Sequence, residues 1–187
     1  MPKWRALLAC LTAGAAALAA CGSASTTTRG TTRVIDGETV VGGRSQLTFR
    51  PVIRGLPLTG LPSTTPAGKV TSRATVVLDG RDAAGHVTGR YELGPVLLDG
   101  RILDHATAVQ NQEGLWQVEF VTTQQGSRAF DAMALTEYQH QVALVVGDLV
   151  LEAPQINATS FHGSGQITGD FTAEQAKALA ALLNTPG

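Results

Sequence analysis

The run Val142-Ala-Leu-Val-Val146 is apolar at every position and mostly valine, which makes it a central strand of a sheet. Gly147-Asp148 follows as a two-residue hairpin turn into Leu149, Val150 and Leu151, and Pro154 ends that second strand. A chain committed to a central strand must supply neighbours for it, so the flanking sequence is read for elements that fit around a sheet. On the N-terminal side, Trp116, Val118 and Phe120 alternate with Gln117 and Glu119, the period of a strand with one buried face. Gly126 and Ser127 break this pattern and begin a helix in which Phe130, Met133, Ala134 and Tyr138 fall on one side.

On the C-terminal side, Gly163-Ser-Gly165 is a turn and Gln166–Gly169 a short strand. The last helix carries the clearest local signature. Thr172 is its N-cap, Gln175 completes a capping box, Phe171 can staple against Ala176, and Ala176, Leu179, Ala180 and Leu183 form one apolar stripe before Pro186. The order strand, helix, hairpin, strand, helix predicts an α+β fold: a mostly antiparallel sheet with two main helices packed on one face.

The first half is less regular. Leu47, Phe49 and Val52 suggest a strand ended by Gly55 and Pro57, and the prolines 57, 62 and 66 make the stretch to Val70 a loop, the expected place for disorder within the domain. Ala74–Leu78 is a short apolar run closed by Asp79-Gly80, able to form a hairpin with the segment through Tyr91 and Leu93. Pro95 limits any strand there to an edge or a start.

The N-terminus reads as an address. Lys3 and Arg5 precede an apolar run from Ala6 to Ala20, which predicts a signal peptide over residues 1–20. Leu18-Ala-Ala-Cys21 resembles the lipobox of bacterial lipoproteins, which implies that Cys21 is the lipidated first residue of the mature chain. Several acyl chains hold a protein on a membrane far more firmly than one does. The Ser-, Thr- and Gly-rich stretch that follows is expected to be a flexible tether, residues 21–45, with the folded domain at 46–187. Val34-Ile35 and Val40-Val41 give only a weak strand signal inside it.

Cys10 would leave with the signal and Cys21 would be acylated, so no thiol remains for a disulfide, a thiolate metal site or a nucleophile. Without Lys3 and Arg5, 12 basic residues face 15 acidic ones, a net charge of -3 that argues against nucleic acid as a partner. No other run approaches the ~18 apolar residues of a membrane-spanning helix.

Catalytic constellations are missing from the sequence pattern. His86, His105, His140 and His162 show no metal-ligand spacing, Asp104-His105 being the nearest candidate. Ser164 has His162 where a nucleophile elbow needs glycine, and Gly163-x-Gly165 has Thr168 where a dinucleotide loop needs a third glycine. Asn157-Ala-Thr159 is a glycosylation triplet by pattern only. Trp116, Phe120, Phe130 and Tyr138 are expected in the core. Val96, Leu97 and Leu98 are the candidates for an exposed apolar groove, with the polypeptide-binding residues themselves unassigned.

From Tyr91 to Leu183 the chain resembles the end of the first large extracytoplasmic domain of SecD, a subunit of the bacterial protein translocase. The resemblance rests on Leu93-Gly-Pro95 with Asp99-Gly100, Trp116–Phe120, Ala129-Phe130, Ala143–Leu151, Ala153-Pro-Gln-Ile156, and above all Gly163–Thr172 with the helix behind it. Phe49-Arg-Pro-Val52 matches an earlier family segment more weakly. SecD drives export with membrane helices bearing proton-conducting carboxylates, which this sequence lacks. What the resemblance implies is the extracytoplasmic head alone. The expectation is a lipid-anchored, non-enzymatic module on the outer face of the bacterial cell membrane, without cofactor or metal, binding polypeptide or the Sec translocase and assisting secretion. The alternative is an envelope lipoprotein that reuses the fold for an apolar small molecule or an unrelated partner.

Overall fold

The computed structural model describes residues 32–35, 38–59, 64–82 and 84–187. The expected signal peptide, the lipidated Cys21, the start of the tether and Pro62 of the proline-rich loop lie outside these residues. The described chain forms, in order, β1 (Thr32–Ile35), β2 (Glu38–Val41), β3 (Leu47–Leu56), β4 (Val76–Arg81), β5 (Val87–Leu93), β6 (Leu98–Asp99), β7 (Leu103–Gln110), β8 (Trp116–Thr122), α1 (Gln124–Thr136), β9 (Val142–Val146), β10 (Leu149–Glu152), β11 (Ser164–Phe171) and α2 (Ala173–Leu183).

The α+β layout is present, but its strands divide between two larger sheets and a small hairpin. One edge of β3 pairs with β9 from Leu47 to Pro51, while the other carries β6 at Thr48–Phe49 and then β5 from Val52 to Leu56. The β4–β5 hairpin, a parallel β4–β10 pair and the antiparallel β10–β9 hairpin complete the circuit. The five strands β3, β5, β4, β10 and β9 therefore close into a small barrel. A second, three-stranded sheet has the order β11-β8-β7.

This arrangement explains the unbroken apolar run of β9. Ala143 and Val145 point into the barrel with Val76, Leu78, Leu93 and Val150. Val142, Leu144 and Val146 point outward into the main core, which also takes Leu47 and Phe49 of β3, Val118 and Phe120 of β8, Ile167 of β11 and the apolar sides of both helices. All five residues of β9 are buried, so neither face permits a polar side chain.

Arg50 is the exception inside the barrel. It stands opposite Ala143 in the ladder and is 2% exposed. Its Nη1 donates to the carbonyls of Gly94 (2.9 Å) and Ala74 (3.1 Å), and Nη2 to that of Thr71 (2.8 Å). Among the described residues no carboxylate pairs with it, and its Nε has no partner. Three backbone dipoles thus stand in for a counter-ion, and burial pushes the guanidinium's pKa down.

Local signals set the helix boundaries. The Thr172 hydroxyl oxygen accepts from the Gln175 amide and the Gln175 side-chain oxygen accepts from the Thr172 amide, so the expected capping box is formed. Helix α1 starts earlier than expected, at Gln124, because Thr123 caps it by accepting from the Gly126 amide (2.9 Å). Gly126 lies within the first turn instead of before it, and a Cβ there would strike the Ile102 carbonyl. Tyr138 falls beyond the helix and is 44% exposed, so it does not belong to the core where its spacing placed it. Strand β11 is longer than expected, running on to Phe171.

Within the stretch expected as a tether, β1 and β2 pair as an antiparallel hairpin. Arg44 then ties the chain to the end of α2, its amide donating to the Thr185 carbonyl (2.8 Å) and its Nη1 to the Leu103 carbonyl (2.6 Å).

Candidate functional site: an apolar cleft beside a strand edge

The two edges of the three-stranded sheet are treated differently. At the β7 edge, the Asn184 side chain behaves as a strand would, accepting from the Ala106 amide (2.9 Å) and donating to the Ala106 carbonyl (2.8 Å). That edge is blocked. Strand β11 pairs only with β8 among the described strands. The Thr122 amide donates to the Gly163 carbonyl, and ladder alternation then turns the amides of Gln166 and Thr168 away from β8. Such an edge is a template for another extended chain.

Beside this edge lies a half-open cleft of about 380 Å³. Its floor is aromatic: Phe49, Phe120 and Phe130 meet edge-on with ring centres 5.5–6.5 Å apart, and Phe161 tilts over Phe130 at 5.1 Å. Met133, Val142, Leu144 and Ile156 complete the apolar lining, with Gly165, Gln166 and Thr168 on the strand side. Gly165 is needed for this geometry, since a Cβ there would collide with the Phe120 ring.

The opposite wall is zipped in place. The Val142 amide donates to the Pro154 carbonyl (3.0 Å), the Ile156 amide to that of His140 (2.9 Å), and the Gln139 amide to that of Ile156 (2.7 Å). The loop carrying Phe161 is pinned to α1 through Asp131, which accepts from the Phe161 amide (2.8 Å) and the Ser160 hydroxyl (3.0 Å).

Glu152, at the end of β10, is the one charged residue lining the cleft among the described residues. Its Oε2 accepts from the Thr168 hydroxyl (2.8 Å) and, more weakly, from the Thr168 amide (3.2 Å), reaching across to the β11 edge. Burial raises its pKa above the usual range, and the two Thr168 bonds partly counter this. No cation pairs with it among the described residues.

Of the residues singled out in the sequence, Phe120 and Phe130 come together here, joined by Phe49 and Phe161. Val96, Leu97 and Leu98 do not. Leu97 is 37% exposed, but Leu98 packs on the main core and Val96 lies near Arg50, so they form no common groove with the cleft. Three histidines stand on the surface beside single carboxylates, His86 with Asp82, His105 with Asp104 and His140 with Glu137, and His162 is exposed in the turn before β11. Among the described residues no cluster of three His, Cys, Asp or Glu could hold a metal ion. The turn into β11 is His162-Gly163, at φ +53° and +78°, while Ser164 and Gly165, expected in the turn, already belong to the strand. Sequence reading missed Glu152. Its signal was a single carboxylate closing the apolar strand Leu149-Val-Leu, directly before Ala153-Pro154.

The barrel, the appended three-stranded sheet and the cleft between them define the class: an α+β head-type domain that presents an apolar recess next to a strand edge. The family model described as SecDF, P1 head subdomain, matches residues 74–186, more than half the chain, and the protein belongs to that family. The protein translocase subunit SecD of Acetobacter pasteurianus is 40% identical over 87 residues, 46% of this chain and 17% of that subunit. SecD of Leptotrichia buccalis is 37% identical over 92 residues, 49% of this chain and 23% of that subunit. The chain therefore matches only about a fifth of the length of these relatives.

Among solved structures, a SecDF described as a membrane component that enhances protein export superposes with a TM-score of 0.52 at 25% identity, covering 74% of this chain and 61% of that one. SecDF in its super-membrane-facing form gives the same TM-score at 24% identity over 75% of this chain and 19% of that one, which supports the fold. No described helix is long and apolar enough to cross a membrane.

Proposed function

We propose that this protein is a lipid-anchored head module on the extracytoplasmic face of the bacterial cell membrane, which holds segments of polypeptide in the Phe-lined cleft and assists protein translocation without catalysis. The observation that carries this reading is the pairing of an apolar cleft with the β11 edge, where the Gln166 amide faces outward and the Thr168 amide is held by Glu152. An extended chain could add to that edge through its backbone while its side chains enter the recess. Membership of the SecDF head family supports a role in export and the Sec translocase as a partner. The anchor rests on Leu18-Ala-Ala-Cys21.

A photo-crosslinking residue at Phe161, with one at Leu115 outside the cleft as control, tests the binding reading in membranes. Phe161 should capture secreted chains or translocase components and Leu115 should not. Capture of neither from Phe161 would sink the proposal. The anchor is tested separately by Cys21→Ser, which should abolish lipid labelling and release the protein from the membrane. The cleft volume also suits a small apolar ligand. Under that second reading, solvent extraction of the purified protein would yield a stoichiometric lipid-like molecule, and Phe161 would crosslink to no polypeptide.

A further inference from the structure

Glu152 is a poor choice for an apolar recess unless something uses its charge. A carboxylate withdrawn from water is costly when no cation stands beside it. Here one oxygen, Oε2, takes both bonds from Thr168, and the described residues offer Oε1 no hydrogen bond. Oε1 is also not closed off: the buried side-chain atoms lacking a partner are Arg44 Nε and Arg50 Nε. The Thr168 bonds fix the carboxylate at the junction of two surfaces, the apolar floor made by Phe49, Phe120 and Phe130 and the outward edge of β11. The remaining cleft residues are uncharged, so Glu152 is the one charge set directly in the lining among the described residues.

Building on the polypeptide reading above, we infer that Glu152 makes the cleft selective for apolar segments that carry a positive charge, a lysine, an arginine or a free amino terminus placed next to the apolar side chains. The apolar part enters among the phenylalanines, the backbone meets the β11 edge at the Gln166 amide, and the cation meets Oε1. A segment bearing an acidic residue at the same place is rejected by like-charge repulsion in a poorly solvated site. The Thr168 bonds remain in place during binding, so Glu152 is held ready and need not reorganise.

The test uses the full chain and three labelled peptides that share one apolar core and differ at a single flanking position, Lys, Gln or Glu, with binding followed by fluorescence anisotropy. The expected order of affinity is Lys, then Gln, then Glu, with roughly tenfold between Lys and Glu, the ratio that about 1.4 kcal/mol of charge interaction gives. Glu152→Gln, which keeps the shape and the acceptor toward Thr168, should bring the Lys-to-Glu ratio close to one. Equal binding of the Lys and Glu peptides by the wild-type chain overturns the inference, as does a ratio that survives in Glu152→Gln. If none of the three peptides binds, the polypeptide reading itself fails and the selectivity falls with it.

Discussion

Arg50→Met removes the guanidinium from the barrel while keeping an unbranched, flexible side chain that reaches about as far as Nε, so most of the stem's packing is retained. Three charge-assisted bonds are lost, each contributing ~1.5–3 kcal/mol. The carbonyl of Gly94 is left unpaired in a fully buried place, whereas those of Ala74 and Thr71 sit in only partly buried bonds and can recover water. Two gains oppose the loss: the unpartnered Nε disappears, and a charge no longer has to be desolvated, a term that makes many buried charges replaceable by apolar groups. The difference comes to about 3 kcal/mol in favour of the wild type. At ~2–4 °C per kcal/mol, thermal unfolding followed by circular dichroism should show a midpoint lowered by about 10 °C. Arg50→Lys should fall between the two, since one ammonium cannot reach carbonyls on two separate segments in the way the planar fork does. An Arg50→Met protein as stable as the wild type, or more stable, would refute the view that the guanidinium ties Thr71, Ala74 and Gly94 to β3.

Three further outcomes are expected. Because the native state raises the Glu152 pKa, it binds that proton more tightly than the unfolded chain does; the group's contribution to stability is present in acid and lost as pH rises through the raised value. Glu152→Gln should therefore gain stability relative to the wild type between mildly acidic and neutral pH, and parallel melting curves across that range would contradict the assignment. Thr172→Ala removes the acceptor of the Gln175 amide and should cost about 1 kcal/mol in denaturant unfolding without changing the slope. Gly165→Ala drives a methyl into the Phe120 ring and should cost ~1–3 kcal/mol, with loss of peptide binding at temperatures where the variant is still folded.

The legible parts of this fold were those encoded within one turn or one strand. The Thr172–Gln175 box, the Gly147-Asp148 hairpin and the alternation of Trp116–Phe120 depend on neighbours a few residues apart, so their chemistry is visible in a window of sequence. The same window placed Tyr138 on the buried side of α1. It could not show that α1 ends at Thr136, so that Tyr138 falls in the turn beyond it and into solvent. Phe120 and Phe130 were read correctly as packed residues, but their second role as the floor of a cleft depends on Phe49 and Phe161 arriving from other parts of the chain.

By itself, then, the sequence determined the α+β class, the positions of the best-capped elements, the SecD-like character of Tyr91–Leu183 and the expectation of a lipid anchor at Cys21. Only the tertiary structure decided that β5 returns to β3 and β4 runs parallel to β10, closing a barrel around Arg50. It also decided that Glu152 meets Thr168 across a Phe-lined recess. The reason is physical: periodicity and capping are short-range and leave a mark on adjacent residues. Barrel closure and the cleft arise from pairings between distant segments, each of which forms only because the others bury its apolar face.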